Sequence, residues 1–491
     1  GVATGSPVGA GWNVAIAVSA AFLAASLAIG WYWNRKVFLL AFAVFAGVFA
    51  MVFANFGSNP AGIGSGAWQS LGYWLAQQDV ARGNQPWYYY FTIGAIYEFL
   101  PFVVALSAGL YYSFKSGLKP WLLLLLAGIG MAILADSSIS FERGLIKGSE
   151  HDVLTYVGQL ALIVVFGSFI ALPFTLKISK FNKFLFFWTI GTFIAYTEAG
   201  EKMPWLLVNV VLPAIILAAY TINDIVMSID WKKAWRNKAG LAIIGVPVFF
   251  IMIWKIAMHD LGEGTRQFAS AWAILAILGI LLLGLQVLGS KIGRSQALGI
   301  VGLITVVIMF GFTFRAGWVA SFENGDVPKE MLVYTQTAPD IHNLVEEIER
   351  AAELTGDRYD IKVAIDIRDA YSWPWQWYLR RYNEVSFRDH TSDEIEVGEE
   401  RVIAVINENN NAKAITTMPD GFSEGRKLVH RWWFPERYRD VTVGTVIDTL
   451  KDRDRWAGTV DYFLYRALSN PLGTIDSYVY FSDLIPLSPA K

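Results

Sequence analysis

The chain has 491 residues, a formal net charge of −2, five histidines and no cysteine, and 54% of its residues are hydrophobic, with a mean hydropathy of +0.40. Without cysteine it has neither a disulfide framework nor a thiolate metal site, and His151, His259, His342, His390 and His430 show no metal-ligand spacing. The near-neutral total hides a split, with charge sparse to Arg315 and dense afterwards, and neither part has the basic balance of a nucleic-acid binder.

In chain order, the apolar residues gather into runs long enough to cross a bilayer, which takes about 20 residues. Ten spans are expected, at about 12–33, 37–56, 88–112, 120–140, 153–176, 184–199, 205–222, 240–258, 269–288 and 297–314. Lysine and arginine crowd every second connection: Arg35 and Lys36; Lys115 and Lys119; Lys177, Lys180 and Lys183; Lys232, Lys233, Arg236 and Lys238; Lys291 and Arg294. Basic loops face the cytoplasm, so the loops 68–87, 136–152 and 198–204 and everything after residue 314 face outward, as does the N-terminus. An outward N-terminus with Gly1 in place of Met and no signal-peptide pattern is expected of the C-terminal portion of a longer protein, or of one piece of a split one. The expected fold is an α-helical polytopic membrane protein with about ten transmembrane helices, N-out and C-out, over 1–321, followed by a C-terminal extracytoplasmic α/β domain over 322–491.

Two outer stretches carry the chemistry. In the first, Trp68, Leu71 and Leu75 recur at helical spacing and predict an amphipathic helix on the membrane surface. Asn84-Gln85-Pro86 ends that helix, Trp87, Tyr88, Tyr89 and Tyr90 form an interfacial aromatic belt, and Glu98 follows one or two turns inside the third span. A carboxylate there binds or carries protons, or else is a helix-packing acid. Arg82, three residues after Asp79, either pairs with it or holds a phosphate through its fork of donors. In the second stretch, Tyr196 to Trp205, Glu198, Glu201 and Lys202 crowd one tight connector, Gly200 lets it turn and Pro204 starts the next helix. Lys202 is expected at headgroup level, where it meets an anionic group or simply snorkels at a helix end.

In the outer domain, 331–336, 361–365 and 401–406 predict strands, and 341–354 predicts an amphipathic helix after Pro339-Asp340. Residues 408–411 read as a turn, and the chain from 469 as irregular coil. The run 373–378, with Arg380 and Arg381, offers tryptophans to a sugar, to lipid or to the membrane part of the chain.

The string YWLAQQDVARGNQPWYYY over 73–90, the later Tyr97-Glu98 and the string AGEKMPW over 199–205 together resemble the flippase-activity-associated family. That family is known from archaeal protein N-glycosylation and from bacteria, and is related to the protein O-mannosyltransferase-like GT-C glycosyltransferases. Asn59-Pro60-Ala61-Gly62, Val333-Tyr334-Thr335-Gln336-Thr337, Trp373-Pro374-Trp375 and Tyr378-Leu379-Arg380 look similar as well. The resemblance implies a prokaryotic plasma-membrane protein working at the outer face on sugars carried by a polyprenyl-phosphate lipid. The residues it nominates for the lipid phosphate and substrate are Arg82, Gln85, Trp87, Tyr88, Glu98, Glu198, Glu201, Lys202 and Trp205. GT-C enzymes carry a catalytic acid in the first outer loop, whereas no acidic residue here precedes Asp79. The base is therefore expected from a missing N-terminal portion or a partner chain. The alternative is a non-catalytic scaffold subunit on the same fold. Lipid flipping is a third reading, with Glu98 as its only visible support.

Overall fold

The structure, a computed structural model, describes residues 10–66, 85–134, 153–257, 265–325, 327–333, 335–368, 371–389, 401–418, 420–441 and 443–486. The expected surface helix around 68–83, with Arg82, and the whole loop 136–152 lie outside them. The chain divides into two compact units, one of Gly1–Tyr90, Leu125–Ala171 and Phe187–Val210, the other of Phe91–Leu124, Leu172–Phe186 and Val211–Lys491. The boundary expected at 322 falls inside the second.

Helices form at all ten predicted spans. Among the described residues five are long and apolar enough to cross a membrane: Asn34–Phe53, Tyr156–Thr175, Pro204–Ser228, Trp272–Ile292 and Arg294–Glu323. The bent pair Tyr89–Tyr97 and Phe99–Ser116 has the form of a broken span or a re-entrant loop, and Leu23–Tyr32, Leu118–Leu134 and Ala239–Lys255 are apolar but shorter. The expected span 184–199 lies in the helix Lys180–Glu198, whose first turn holds Lys180, Asn182 and Lys183.

In the first unit, helix α1 (Ala10–Phe53) breaks at Asn34, which leaves helical geometry, and the Asn34 Oδ1 accepts the Val37 N–H at 3.2 Å, capping the second half. Helix α4 (Leu118–Leu134) meets α5 (Val153–Thr175) within this unit at Gly130, where a Cβ would sit 2.7 Å from Val165 and 3.0 Å from the Ala161 carbonyl. Glycine at that point lets the two apolar helices approach closely, the usual way such helices associate where water drives nothing.

The second unit opens on helices α2 (Tyr89–Tyr97), from Phe91 onward, and α3 (Phe99–Ser116), which meet at a bend of 109°. Pro101, in the first turn of α3, has no N–H to donate to the carbonyl four residues back and its ring crowds that carbonyl, which favours a bend at 97–98. This corrects the expected continuous span 88–112. Glu98 is the residue at the break, preceding α3, and so lies between two helices and not within a continuous one. Helices α7 (Val208–Ser228), from Val211 onward, α8 (Trp231–Arg236), α9 (Ala242–Ala257), α10 (Thr265–Ile292) and α11 (Arg294–Trp318) complete the helical part of this unit.

The C-terminal domain, also in the second unit, is built on a six-stranded sheet in the order β1-β5-β6-β4-β2-β3. Its strands are β1 (Gln336–Thr337), β2 (Lys362–Asp366), β3 (Val385–Arg388), β4 (Val402–Asn407), β5 (Arg426–Trp433) and β6 (Gly473–Phe481). β4, β2 and β3 run parallel, while β6 pairs antiparallel with both β4 and β5. Helix α12 (Pro339–Thr355) starts on Pro339, ends at Gly356 with φ of 78°, and buries Ile341, Leu344, Val345, Ile348, Ala351 and Ala352. That apolar stripe, at three- and four-residue spacing, packs with Val363, Ile365, Ile403, Val405 and Val479 of the sheet in one core.

Three expectations fail here. Among the described residues of 331–336, only Gln336 lies in a strand. The turn at 408–411 is the start of helix α14 (Glu408–Thr417), because the Asn407 side chain caps it by accepting the Asn409 N–H at 2.8 Å. The coil after 469 contains β6, where Val479 and Phe481 face the core. In the short helix α13 (Ser372–Tyr378) the tryptophans divide: Trp375 is fully buried in the domain core, while Trp373 and Trp377 are more than half exposed, Trp377 with the Arg380 guanidinium 4.1 Å from its ring centroid.

Candidate functional site

Two loops far apart in sequence fold together in the first unit. Gln85, Tyr89 and Tyr90 are buried, and the Tyr90 hydroxyl donates to the Met203 carbonyl at 3.3 Å, 113 positions away. Its ring meets Tyr196 edge-on, with centroids 6.2 Å apart. Helix α6 (Lys180–Glu198) delivers Tyr196, and the chain then turns through Ala199-Gly200 and enters a short 3₁₀ turn at Pro204–Leu207, with Pro204 at its start. Between them Glu201 and Lys202 point inward. Lys202 is only 1% exposed and its Nζ donates to the Ala199 carbonyl at 2.6 Å.

Lys202 is thus enclosed by the loop pair and does not snorkel out from a helix end. A neutral carbonyl satisfies one of the three ammonium donors, and an ammonium in an apolar surround is costly unless other groups balance it. Glu201, also buried, and the aromatic wall of Tyr89, Tyr90 and Tyr196 belong to the same loop pair. Of the other sequence-nominated residues, Trp87 is 46% exposed and meets the Tyr88 ring at 5.5 Å, Trp205 is 60% exposed, and Glu198 is exposed at the end of α6. The exposed indoles suit an interface between water and an apolar phase.

Glu98 belongs to the second unit. It is half-buried at the break, and its carboxylate makes no hydrogen bond or ion pair with the described residues. The N-terminal end of α3 beside it favours a negative charge.

The neighbouring Tyr97 anchors a cluster that the sequence did not disclose. Its hydroxyl donates to Glu330 Oε2 at 2.6 Å and accepts the Met331 N–H at 2.8 Å. Arg466 Nε donates to the same Glu330 oxygen at 2.8 Å, and Asn324 Nδ2 donates to Oε1, also at 2.8 Å. Glu330 and Arg466 are 1% and 3% exposed at their side chains. Arg466 terminates helix α15 (Arg453–Tyr465) in the left-handed conformation, with φ of 54°. Tyr462 of the same helix donates to the Lys329 carbonyl at 3.0 Å, and burial pushes its phenol up to about 12, so it remains a donor.

In the C-terminal domain the carboxyl ends of β2 and β4 are joined by Asp366, whose Oδ2 accepts from the Asn407 N–H at 3.1 Å and Asn410 Nδ2 at 2.7 Å, while Oδ1 accepts from the Arg368 N–H at 3.1 Å. Arg368 in turn bonds Asn410 Oδ1. Each Asp366 oxygen is engaged, the pattern of a structural joint. His430, on β5, is fully buried: Nε2 donates to the Trp373 carbonyl at 2.9 Å and Nδ1 accepts from the Ser477 hydroxyl at 3.2 Å. Among the described residues no group of three or more His, Cys, Asp or Glu is placed to hold a metal ion.

No protein-family model, curated protein or solved structure matches the chain.

Proposed function

We propose that the chain is a multi-pass protein of the prokaryotic plasma membrane, with ten spans, N-out and C-out, and an extracytoplasmic C-terminal domain. It works as a component of a GT-C-like glycosyltransferase acting on polyprenyl-phosphate-linked sugars. Dense apolar exposure along the helices supports insertion: the Asn34–Phe53 helix has none of its span buried against the rest of the chain, and Arg294–Glu323 has 11% buried. Such surfaces are stable only in lipid or against another apolar partner.

The observation that carries the substrate class is the union of the two motif loops around a sequestered Lys202. An ammonium held in a low-dielectric surround attracts a phosphate more strongly than one in water, and stabilises the charge that grows as a sugar leaves it. On this reading Lys202 and Arg82 bind the lipid phosphate, while Glu201 and Glu98 orient them or the sugar.

Lys202→Gln and Arg82→Gln are expected to lower retention of a polyprenyl phosphate by the purified full chain about tenfold each, the scale of one lost charge-assisted contact. Native mass spectrometry across a lipid titration reads this, and unchanged retention in both variants rejects the assignment. The second reading is a non-catalytic scaffold subunit on the same fold. Glycosyl transfer by the purified chain alone would exclude it.

A further inference from the structure

Two of the basic loops form one surface in the second unit. Helix α8, in the connection between α7 and α9, carries Lys232, Lys233 and Arg236, with Lys238 just beyond it. The turn between α10 and α11 carries Lys291 and Arg294. Ile229, Ala234 and Ala239 of the first connection pack into one apolar cluster with Ile292, Ala297 and Ile300 of the second. The Asp230 N–H donates to Gln296 Oε1 at 3.0 Å across the seam. A Cβ on Gly299 would lie 3.2 Å from Ile225, so the two helix pairs approach closely there.

The charge on this surface is one-sided. Asp230 is the only acid in either connection, and it is occupied as the α8 cap, accepting the Lys233 N–H at 3.0 Å. None of the six basic side chains has a hydrogen-bond or ion-pair partner among the described residues, and all but the half-buried Lys233 are exposed. Two tryptophans stand beside them. Trp231 is fixed by donating Nε1–H to the Val226 carbonyl at 3.1 Å, and Trp235 lies so close over Gly240 that a Cβ there would be 2.6 Å from its ring. They are 40% and 61% exposed, and the flanking Met227, Leu241, Ile243 and Ile244 are exposed apolar residues. Cations, then indoles, then bare aliphatics is the order of chemistry met on entering a bilayer from water.

We propose that these merged connections form a binding platform for the headgroups of anionic phospholipids, in the leaflet opposite the C-terminal domain. The proposal rests on the membrane-spanning reading above and is independent of the sugar-lipid assignment. The phosphates sit among Lys232, Arg236, Lys238, Lys291 and Arg294, and the two indoles lie at the glycerol level. Six unpartnered cations against one occupied acid favour an anionic lipid over a zwitterionic one, and the adjoining bare helix surface places acyl chains beside it.

The test is native mass spectrometry of the full chain released from detergent, with phosphatidylglycerol and phosphatidylcholine as competing probes. Wild type is expected to retain phosphatidylglycerol about tenfold better. The variant K232Q/K233Q/R236Q/K238Q is expected to fall close to parity, K291Q/R294Q to an intermediate value, and K115Q/K119Q to keep the wild-type preference. Equal retention by wild type, survival of the preference in the four-site variant, or its loss in K115Q/K119Q overturns the proposal. So does a co-purifying protein released by the four-site variant with lipid preference intact, which would assign the surface to that protein. Failure of the membrane reading looks different: the chain would stay soluble without detergent and retain neither lipid.

Discussion

Glu330→Ala or Arg466→Ala is expected to remove about 3–5 kcal/mol of stability, the cost of leaving one buried charge without its partner. The pair is nearly inaccessible, and Glu330 accepts from Tyr97, Arg466 and Asn324 at 2.6–2.8 Å, so no water stands ready to replace a lost partner. A double variant, Glu330→Met with Arg466→Met, removes both charges at similar volume and is expected to recover much of that loss, because an apolar pair carries no desolvation penalty. Thermal unfolding of the purified full chain in one detergent, run as a double-mutant cycle, reads the coupling directly. Additive single losses would show that the two side chains act separately.

Acid is expected to unfold the C-terminal domain by a step that runs through His430. Burial drives this imidazole down to about 3 from an ordinary 6.5, its bond to the Trp373 carbonyl opposes the shift, and the nearby Arg431 charge reinforces it. Between those values the unfolded chain binds a proton that the folded chain excludes. Stability is therefore complete above pH 6.5 and falls as the pH drops from there towards 3, by about 4 kcal/mol over the range. In His430→Gln the loss over that window is expected to be shallower, although the variant starts lower because Gln cannot make both bonds. Denaturant midpoints of the full chain at pH 7, 5.5 and 4 test this, and equal slopes in both proteins would reject it.

The helical half was legible wherever apolar length alone decides structure. Every hydropathy run became a helix, and α12 was visible from Pro339-Asp340 and its stripe of Ile341, Leu344, Val345 and Ile348. The break at Glu98 was also written in the sequence, in Pro101, but hydropathy averaging hides a single proline inside an apolar run. β6 carried its signal in the alternation of Tyr478, Val479, Tyr480 and Phe481, masked by the Gly473 start and by the short distance to the chain end. The strand expected at 331–336 failed because the backbone at Met331 is held by Tyr97, a contact 234 positions distant. For the same reason the Glu330–Arg466 pair, 136 positions apart, had no local signature. At the candidate site, Gln85, Glu201 and Lys202 are nominated by the sequence as loop residues, while Tyr90 is read only as part of an aromatic belt. What periodicity could not supply was direction, since a five-residue connector has no period to say whether a lysine faces water or turns beneath a tyrosine.

The sheet has a consequence for synthesis. β6 lies between β5 and β4, yet it is the last strand to leave the ribosome. About seventy residues separate the end of β4 from the end of β6, so at ordinary elongation rates of roughly 5–20 residues per second the β2–β3–β4 half waits several seconds with an open edge. An uncovered edge is a template for the wrong strand. The nascent domain is therefore most exposed to misassembly just before it is finished, and chains stalled or clipped in that window should be the ones that chaperones and proteases collect.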